Sequence, residues 1–246
     1  MRIGFAIPTY NRADNLRLVL HGLELQTRQG FDVVVCDHGS TDDTLAVVES
    51  FDVGYCWLER TAYDPGAARN SAVQSLSVAV THIWFLDSDV ILNPGAVEHA
   101  VTKHLTASPE VIIAGRYDWL KKGVRQPPFE GLGIADQRLR RKGWDCSEVV
   151  KCSGAALTGN LVIPVDAFEM TGGFDPNLAG SRSEDCEMGY SMRSKGLTMV
   201  MCEGIIGYHL THPRIQTEEE ETAGIRRGVR YIHKKYNIPL KEEWYD

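Results

Sequence analysis

The chain has 246 residues, 43% hydrophobic and 24% charged, with 23 glycines, 10 prolines and 6 cysteines; such a composition excludes a disordered chain and a disulfide scaffold. The formal net charge of −7 lacks the basic footprint of a nucleic-acid binder. An acidic protein that handles phosphates needs a local basic patch or a cation.

Ile3 to Ile7 reads as a buried strand, Ala13 to Leu25 as a helix with Leu16, Leu20 and Leu23 at helical spacing, and Phe31 to Cys36 as a second strand. A helix is predicted over Thr41 to Ser50, with Asp42 and Asp43 in its first turn. Strand Tyr55 to Leu58, helix Gly66 to Ala79 and strand His82 to Leu86 follow. This alternation predicts an α/β fold, a mainly parallel sheet with helices on both faces. Residues 116–151 change character, with Pro127-Pro128 and a dense basic set (Lys121, Lys122, Arg125, Arg138, Arg140, Arg141, Lys142). They read as a long surface excursion, either a solvated loop or a lid over an anionic substrate. Trp119 and Trp144 flank it and suit either sugar stacking or core packing. Regular structure resumes with strand Leu157 to Pro164, the turn Gly172 to Pro176, helix Glu184 to Lys195 and strand Thr198 to Cys202. The last helix, Glu218 to Tyr236, has acids first and lysines last, matching the helix dipole; Ile225, Val229 and Ile232 are its expected docking stripe.

No apolar run reaches the roughly 18–20 residues of a bilayer span, and the start is a strand rather than a signal peptide. The expectation is a cytoplasmic protein with at most peripheral membrane contact, to which Arg226, Arg227 and Arg230 are candidate contributors. The cysteines (36, 56, 146, 152, 186, 202) form no CxxC pair and no histidine stands at zinc-like spacing, so reduced thiols are expected.

The sharpest motif is the strand end Leu86-Asp87-Ser88-Asp89. Carboxylates at i and i+2 point to one side at the carboxyl rim of a parallel sheet, where α/β folds bind ligands. They suit a hard divalent cation that clamps a diphosphate; a solvated strand end leading into Asn93-Pro94-Gly95 is the bland alternative. Two earlier strand ends, Ile7 to Arg12 and Val35 to Asp43, face the same rim if the strands are parallel. Tyr10 would suit a nucleobase, Asp37 a ribose or base edge, and Arg12 or Arg69 a phosphate. Helix capping accounts for Ser40 or Thr41 but not for Asp37.

IPTYNR, CDHGSTDDT, GAARNSA and FLDSDV, in this order, resemble the nucleotide-binding half of family 2 type glycosyltransferases with the GT-A fold. TGNLVIP, TGGFDPNL, SEDCEMGYSMRSKG and GYHLTHP resemble the acceptor half of bacterial glycan polymerases and, more distantly, of β-1,4-galactosyltransferases. The resemblance implies one GT-A domain over residues 1–214: a nucleotide-sugar half to about 115, the basic segment 116–151 and an acceptor half 152–214. Residues 215–246 add a helix and tail.

It further implies that Pro8, Thr9, Tyr10 and Arg12 line the nucleotide pocket, with Asp37 on the base and Arg69 near base or diphosphate. Asp87 would touch the ribose or the metal's water shell, with Ser88 beside it and Asp89 the direct ligand. His209 would complete the metal site, with His212 its competitor; this donor set favours Mn2+ over Mg2+, which stays possible. Asp185 matches the position of the catalytic base, and Glu184 that of a residue bonding acceptor or sugar hydroxyls. Ser181-x-x-Glu184 also reads as a capping box. Gly159 and Asn160 would lie beneath the donor sugar.

Two departures stand out: His38 replaces an acid usual in the family, and residues 180–183 lack the tryptophan-glycine approach of the galactosyltransferases. Cys186 is read as a small buried residue. The implied activity is metal-dependent, inverting transfer of a hexosyl or N-acetylhexosaminyl group from a UDP-sugar to a hydroxyl of a glycan or glycolipid acceptor. The alternatives are transfer to a polyprenyl phosphate and a non-catalytic sugar-nucleotide binding module. No nucleic-acid partner is expected, and the oligomeric state is left open.

Overall fold

Phe5, Ile7, Trp84 and Leu86 pack into one core, and Ala6, Ile83 and Phe85 into another. Adjacent residues of a strand point to opposite faces, so the central strands are buried on both sides. The computed structural model describes residues 1–119, 149–150, 158–213 and 215–238. Trp144, the side chain of Trp119, the basic residues 121–142 and cysteines 146 and 152 lie outside the described residues.

Strands β1 (Ile3–Thr9), β2 (Asp32–Asp37), β3 (Gly54–Trp57) and β4 (His82–Leu86) pair in parallel, in the order β3-β2-β1-β4. Helices α1 (Ala13–Glu24), α2 (Thr44–Glu49) and α3 (Pro65–Gln74) make the crossovers. Leu16, Leu20 and Leu23 of α1 join the Phe5–Trp84 face, whereas Ala68 and Ala72 of α3 join the other. Each fully buried large apolar side chain contributes roughly 1.5–3 kcal/mol, and this double core holds the strand ends in fixed register.

Beyond β4 the sheet becomes mixed. A short strand β5 (Val90–Leu92) precedes α4 (Ala96–Ala100), which continues into a π-helical turn over Val101–Leu105. Next come β6 (Ile112–Trp119), β7 (Val149–Val150), β8 (Asn160–Pro164), α5 (Val165–Thr171), α6 (Glu184–Ser194), β9 (Met199–His209) and α7 (Glu218–Lys235). The sheet continues β4-β8-β6-β9-β5, with β8 antiparallel to both β4 and β6.

Several boundaries differ from the sequence reading. Asp42 and Asp43 precede α2 rather than opening it, because Asp42 accepts from the Ala13 and Thr44 amides. The surface excursion does not begin at 116: β6 runs to 119, and the bidentate Arg116–Asp118 pair (2.9 and 2.6 Å) lets two charges sit on one face of a strand. β9 does not stop at Cys202. Its register against β6 jumps from Gly115↔Cys202 to Arg116↔Ile206, a bulge that absorbs Glu203, Gly204 and Ile205 and delivers His209 to the rim.

The docking face of α7 follows the expected stripe in part: Ile232 is buried and Val229 half-buried. Ile225 is 39% exposed, while Gly224 and Gly228 are buried. A Cβ on Gly224 would sit 2.6 Å from the Gly180 carbonyl, and one on Gly228 would strike Ser183, so the helix lies directly on segment 180–183. Arg227 donates to the Gly180 carbonyl, whereas Arg226 and Arg230 stay on the surface. Thr217 and Glu220 form a capping box at its start.

Candidate active site

β1, β2 and β4 are parallel neighbours, so their carboxyl ends share one rim, and the chain order reverses between β1 and β4. Such a switch point opens a crevice. A cavity of about 200 Å3 lies there, lined by Pro8, Thr9, Tyr10, Arg12, Ser88 and Asp89, with His38, Arg60 and Arg69 beside them. Asn11, at φ 47°, turns the chain away from β1; its amide donates to Ser40 Oγ (2.8 Å) and its side chain accepts from the Thr41 amide (2.8 Å). Ser40 therefore locks two rim loops together instead of capping a helix.

Asp37 is buried beneath this cavity, accepting from the Ser40 amide (2.8 Å) and the Tyr55 hydroxyl (3.2 Å). His38, not Asp37, lines the cavity. Burial, then the nearby Arg60, pushes the His38 imidazole down, toward its neutral form. The Tyr10 ring is already partnered: the Arg60 guanidinium stands 3.8 Å from its centroid. Arg60 and Tyr63 were missed in the sequence. They lie in the loop after β3, the fourth strand end on this rim, so the rule that singled out the other loops also covered them.

Asp89 is the centre of a compact donor set. Its Oδ2 is 3.0 Å from His212 Nε2 and its Oδ1 is 3.6 Å from His209 Nε2. Burial opposes ionisation of Asp89, but the His212 hydrogen bond and the fields of His209, His212 and Arg12 hold the carboxyl below its ordinary range. The hydrogen bond to Asp89 raises His212, whereas burial lowers His209. His212 Nδ1 is 2.9 Å from the Pro213 carbonyl; donating there leaves Nε2 for a cation. Arg12 Nη2 stands 2.7 Å from the same nitrogen; in the tautomer that accepts from Arg12, Nε2 carries the proton and donates to Asp89, so a cation on Nε2 requires the other tautomer. Asp89 Oδ1 is buried without a hydrogen bond. One carboxylate with an unsatisfied oxygen and two imidazoles fit a divalent cation of the manganese type. Both histidines belong to this set, and Asp87 does not.

Asp87 turns instead to Arg69. This guanidinium, 4% exposed, donates to Asp87 (2.7 Å) and Glu184 (3.2 Å) and lies 3.9 Å from Asp185. Three acids around one cation cannot all ionise without net repulsion. Burial lifts Glu184 above its ordinary range despite Arg69. Asp185 is pushed up to about 7, by burial first and by Glu184 second, against the opposing pull of Arg69 and the Thr158 hydroxyl that it accepts from. Its side chain stays 38% exposed, toward a second cavity of about 340 Å3 that also reaches Tyr117, Arg116 and Glu203. Arg69 and Asp87 line both cavities, as do Tyr63, Arg182 and His209, so the two adjoin along this set.

The Ser181–Glu184 capping box does not form. Ser183 is the N-cap of α6 and caps with no side-chain bond, Ser181 Oγ is buried without a partner, and the Glu184 carboxylate goes to Arg69. Gly159 lines neither cavity: its carbonyl accepts from the Asp87 amide (3.0 Å), and any side chain there would strike Asp87 and Tyr117. Asn160 is buried in the sheet, accepting from Trp84 Nε1 (3.1 Å). Cys186 is half-buried, and burial raises its thiol. Tyr63, Arg182 and Tyr117 complete the walls, and no local pattern marks Arg182 or Tyr117.

The chain is 30% identical over 266 residues to validoxylamine A glucosyltransferase of Streptomyces hygroscopicus subsp. jinggangensis (strain 5008), covering 98% of this chain and 62% of that protein. The chain thus spans less than two thirds of the length of that relative. Among solved structures, S. aureus TarS 1–349 in complex with UDP-GlcNAc superposes with a TM-score of 0.66 at 18% identity, over 100% of this chain and 69% of that one. Mannosyltransferase PcManGT from Pyrobaculum calidifontis, in complex with GDP-Man and Mn2+, gives 0.67 at 16% identity, over 98% and 65%. The fold is GT-A. Residues 5–158 match Glycosyl transferase family 2, and the chain belongs to that family.

Proposed function

We propose that the chain transfers a sugar from a nucleotide-sugar to an acceptor hydroxyl with inversion at the anomeric carbon. The observation that carries this reading is the juxtaposition: the Asp89–His209–His212 donor set and the carboxylate of Asp185 border two adjoining cavities that meet at the Arg69–Asp87 pair, with Asp89 and His212 facing only the narrower one, Asp185 only the wider one and His209 both. The narrower cavity would take the nucleotide and diphosphate, the wider one the sugar and acceptor.

Asp89, His209 and His212 would hold a divalent cation, Mn2+ by donor type, and when bound it supplies positive charge to a departing diphosphate. Arg12 lines the same cavity and adds fixed positive charge. In the wider cavity, Asp185 takes the proton of the acceptor hydroxyl as that oxygen bonds to the anomeric carbon and the bond from that carbon to the diphosphate breaks. A carboxylate with proton affinity raised toward neutrality suits a general base better than an ordinary surface acid. Glu184, tied to Arg69, fixes the first turn of α6 and with it the approach of Asp185.

UDP is the proposed nucleotide, because the TarS structure that superposes over the full chain is a UDP-GlcNAc complex. The acceptor is proposed to be a glycan or glycolipid. No helix among the described residues is long and apolar enough to cross a membrane.

The test is thermal shift of wild type, Asp89→Ala and Asp185→Asn with UDP- and GDP-sugars, with and without Mn2+, beside a turnover assay. Wild type should be stabilised by Mn2+ with a UDP-sugar, Asp89→Ala should lose that response, and Asp185→Asn should keep it while turnover falls by about 10²–10⁴. Full turnover in Asp185→Asn removes the base role, transfer by that variant to a lipid phosphate replaces the hydroxyl acceptor, and a GDP-only response replaces UDP.

A further inference from the structure

A second group of side chains with metal-ligand chemistry lies where α4 packs on β9; its histidines line neither cavity, and its cysteine stands on the strand that borders the wider one. His99 on α4, His104 on the π-helical turn and Cys202 on β9 bring one ligand atom each to within 4.8 Å of one another. His104 Nε2 is 3.2 Å from Cys202 Sγ, and the two imidazole centroids are 5.8 Å apart. Tetrahedral zinc, with bonds of about 2.0–2.3 Å, places its donors about 3.4–3.6 Å apart, so small side-chain rotations would seat it.

The backbone supplies two independent reasons to read the group as assembled. In an α-helix, residues five apart lie about 140° apart around the axis, so His99 and His104 would face different ways. The turn over 101–105 widens instead: the Thr106 amide donates to the Val101 carbonyl five residues back (3.0 Å), and the Thr106 hydroxyl reinforces it (2.8 Å). That widening places both rings over β9. Such turns inside helices concentrate at functional sites. On the strand side the position facing His99 is Gly204, and a Cβ there would run into the imidazole ring. Gly204 belongs to the β9 bulge, so helix and strand both depart from regularity where the three ligands meet.

We infer that His99, His104 and Cys202 form a binding site for a borderline-soft cation of the zinc type, with a fourth position left to water. The donor chemistry separates it from the Asp89 set: one thiolate and two imidazoles favour zinc, whereas a carboxylate with imidazoles and diphosphate oxygens suits manganese. Cys202 is 1% exposed, at the sheet end of the site, and both histidines are half-buried on the helical side, through which the ion would enter. An ion there would tie the α4 segment to β9, the strand that ends in His209. The inference does not depend on the transfer reaction proposed above.

Co2+ titration of the metal-free full chain tests it, because cobalt bound to a thiolate shows a sulfur-to-metal charge-transfer band. A band saturating at one ion per chain, bleached by Zn2+, is expected in wild type and in Asp89→Ala, and should vanish in Cys202→Ser. His99→Asn and His104→Asn should each weaken Co2+ binding by at least about tenfold, the range that even outer supporting groups command. No band in wild type overturns the inference, as does a band that persists in folded Cys202→Ser or requires Cys36 and Cys56 instead. Should Cys202→Ser fail to fold, His99→Asn decides, since unchanged Co2+ affinity in that variant also overturns it.

Discussion

The two cavities that meet at Arg69 differ in how their charges are supported. The nucleotide-side cavity is cationic, with Arg12, Arg60 and Arg69 around one acidic metal-binding position, and it stands on parallel strand ends whose register is fixed by two cores. The cavity beside Asp185 gathers four acids, Asp87, Glu184, Asp185 and Glu203, against the three cations Arg69, Arg116 and Arg182. Glu184 and Asp185 start a helix whose approach segment, 180–183, packs directly against α7. Sheet register thus positions the charge proposed to bind, and docking of a separate helix positions the charge proposed to react. That second support is itself polar: Lys235 donates to the buried Glu187 (2.6 Å) and to Asp175 (2.7 Å), and Tyr236 also donates to Glu187 (2.6 Å).

The largest expected effect comes from Arg69, the buried cation that lines both cavities. Arg69→Met leaves Asp87, Glu184 and Asp185 around an apolar side chain, and removing one partner of a buried ionic cluster costs about 3–5 kcal/mol. For a chain of this size Tm should fall by on the order of 10 °C, with loss of both nucleotide binding and turnover. Adding Asp185→Asn should restore part of the lost stability by removing one of the uncompensated charges. A Tm within a degree of wild type would mean that Arg69 is not an electrostatic keystone.

Gly228→Leu probes the difference between the supports. A side chain at 228 must displace Ser183, the N-cap of α6, and so shift Glu184 and Asp185 without touching β1, β2 or β4. Misplacing a reacting group by about 1 Å can cost about 100-fold in rate. Turnover should therefore fall tenfold or more, while the Mn2+-dependent shift with nucleotide is kept. Equal loss of both would show that the cavities are not independently supported.

The same contrast separates what could be read from the sequence and what could not. β1, β2, β4 and their rim loops were legible because apolar runs, strand-end acids and turn residues are local signals, and Leu16, Leu20 and Leu23 pack as their spacing predicts. The base side was legible only in part. Ser181 and Glu184 have capping-box spacing, but the true partner of Glu184 is Arg69, 115 residues earlier in the chain. β9 was cut short at Cys202 because a bulge carrying Glu203 and Gly204 does not alternate like a strand. Ile232 of the α7 stripe is buried as its period predicts, but Ile225 is exposed and the helix makes its closest approach through Gly224 and Gly228, whose contribution is the absence of a side chain. His99 and His104 escaped notice because their five-residue spacing is unlike an α-helical ligand pair.

The base-side acid should also set the pH response. A general base works only when deprotonated, so with Asp185 raised to about 7 the rate should fall about tenfold per pH unit below that value and level off above it. Saturating Mn2+ is needed, because protons compete for His212, whose affinity for them is raised by Asp89. The residual rate of Asp185→Asn should lack the inflection, and an inflection that survives there belongs to another group.

The smallest effect belongs to the nucleotide side alone. Arg60 lies over Tyr10 and lines the cavity proposed for the diphosphate. A cation–π contact at an open site is worth about 0.5–1 kcal/mol, and Arg60→Ala removes it together with one positive charge. Nucleotide affinity should drop by about two- to fivefold at low ionic strength, measured by calorimetric titration, and the deficit should shrink as salt screens the charge. The maximal rate should not change, because Asp185 lines the other cavity. A fall in maximal rate at saturating donor would instead give Arg60 a part in the chemistry, and the division between a binding side and a reacting side would have to be redrawn around it.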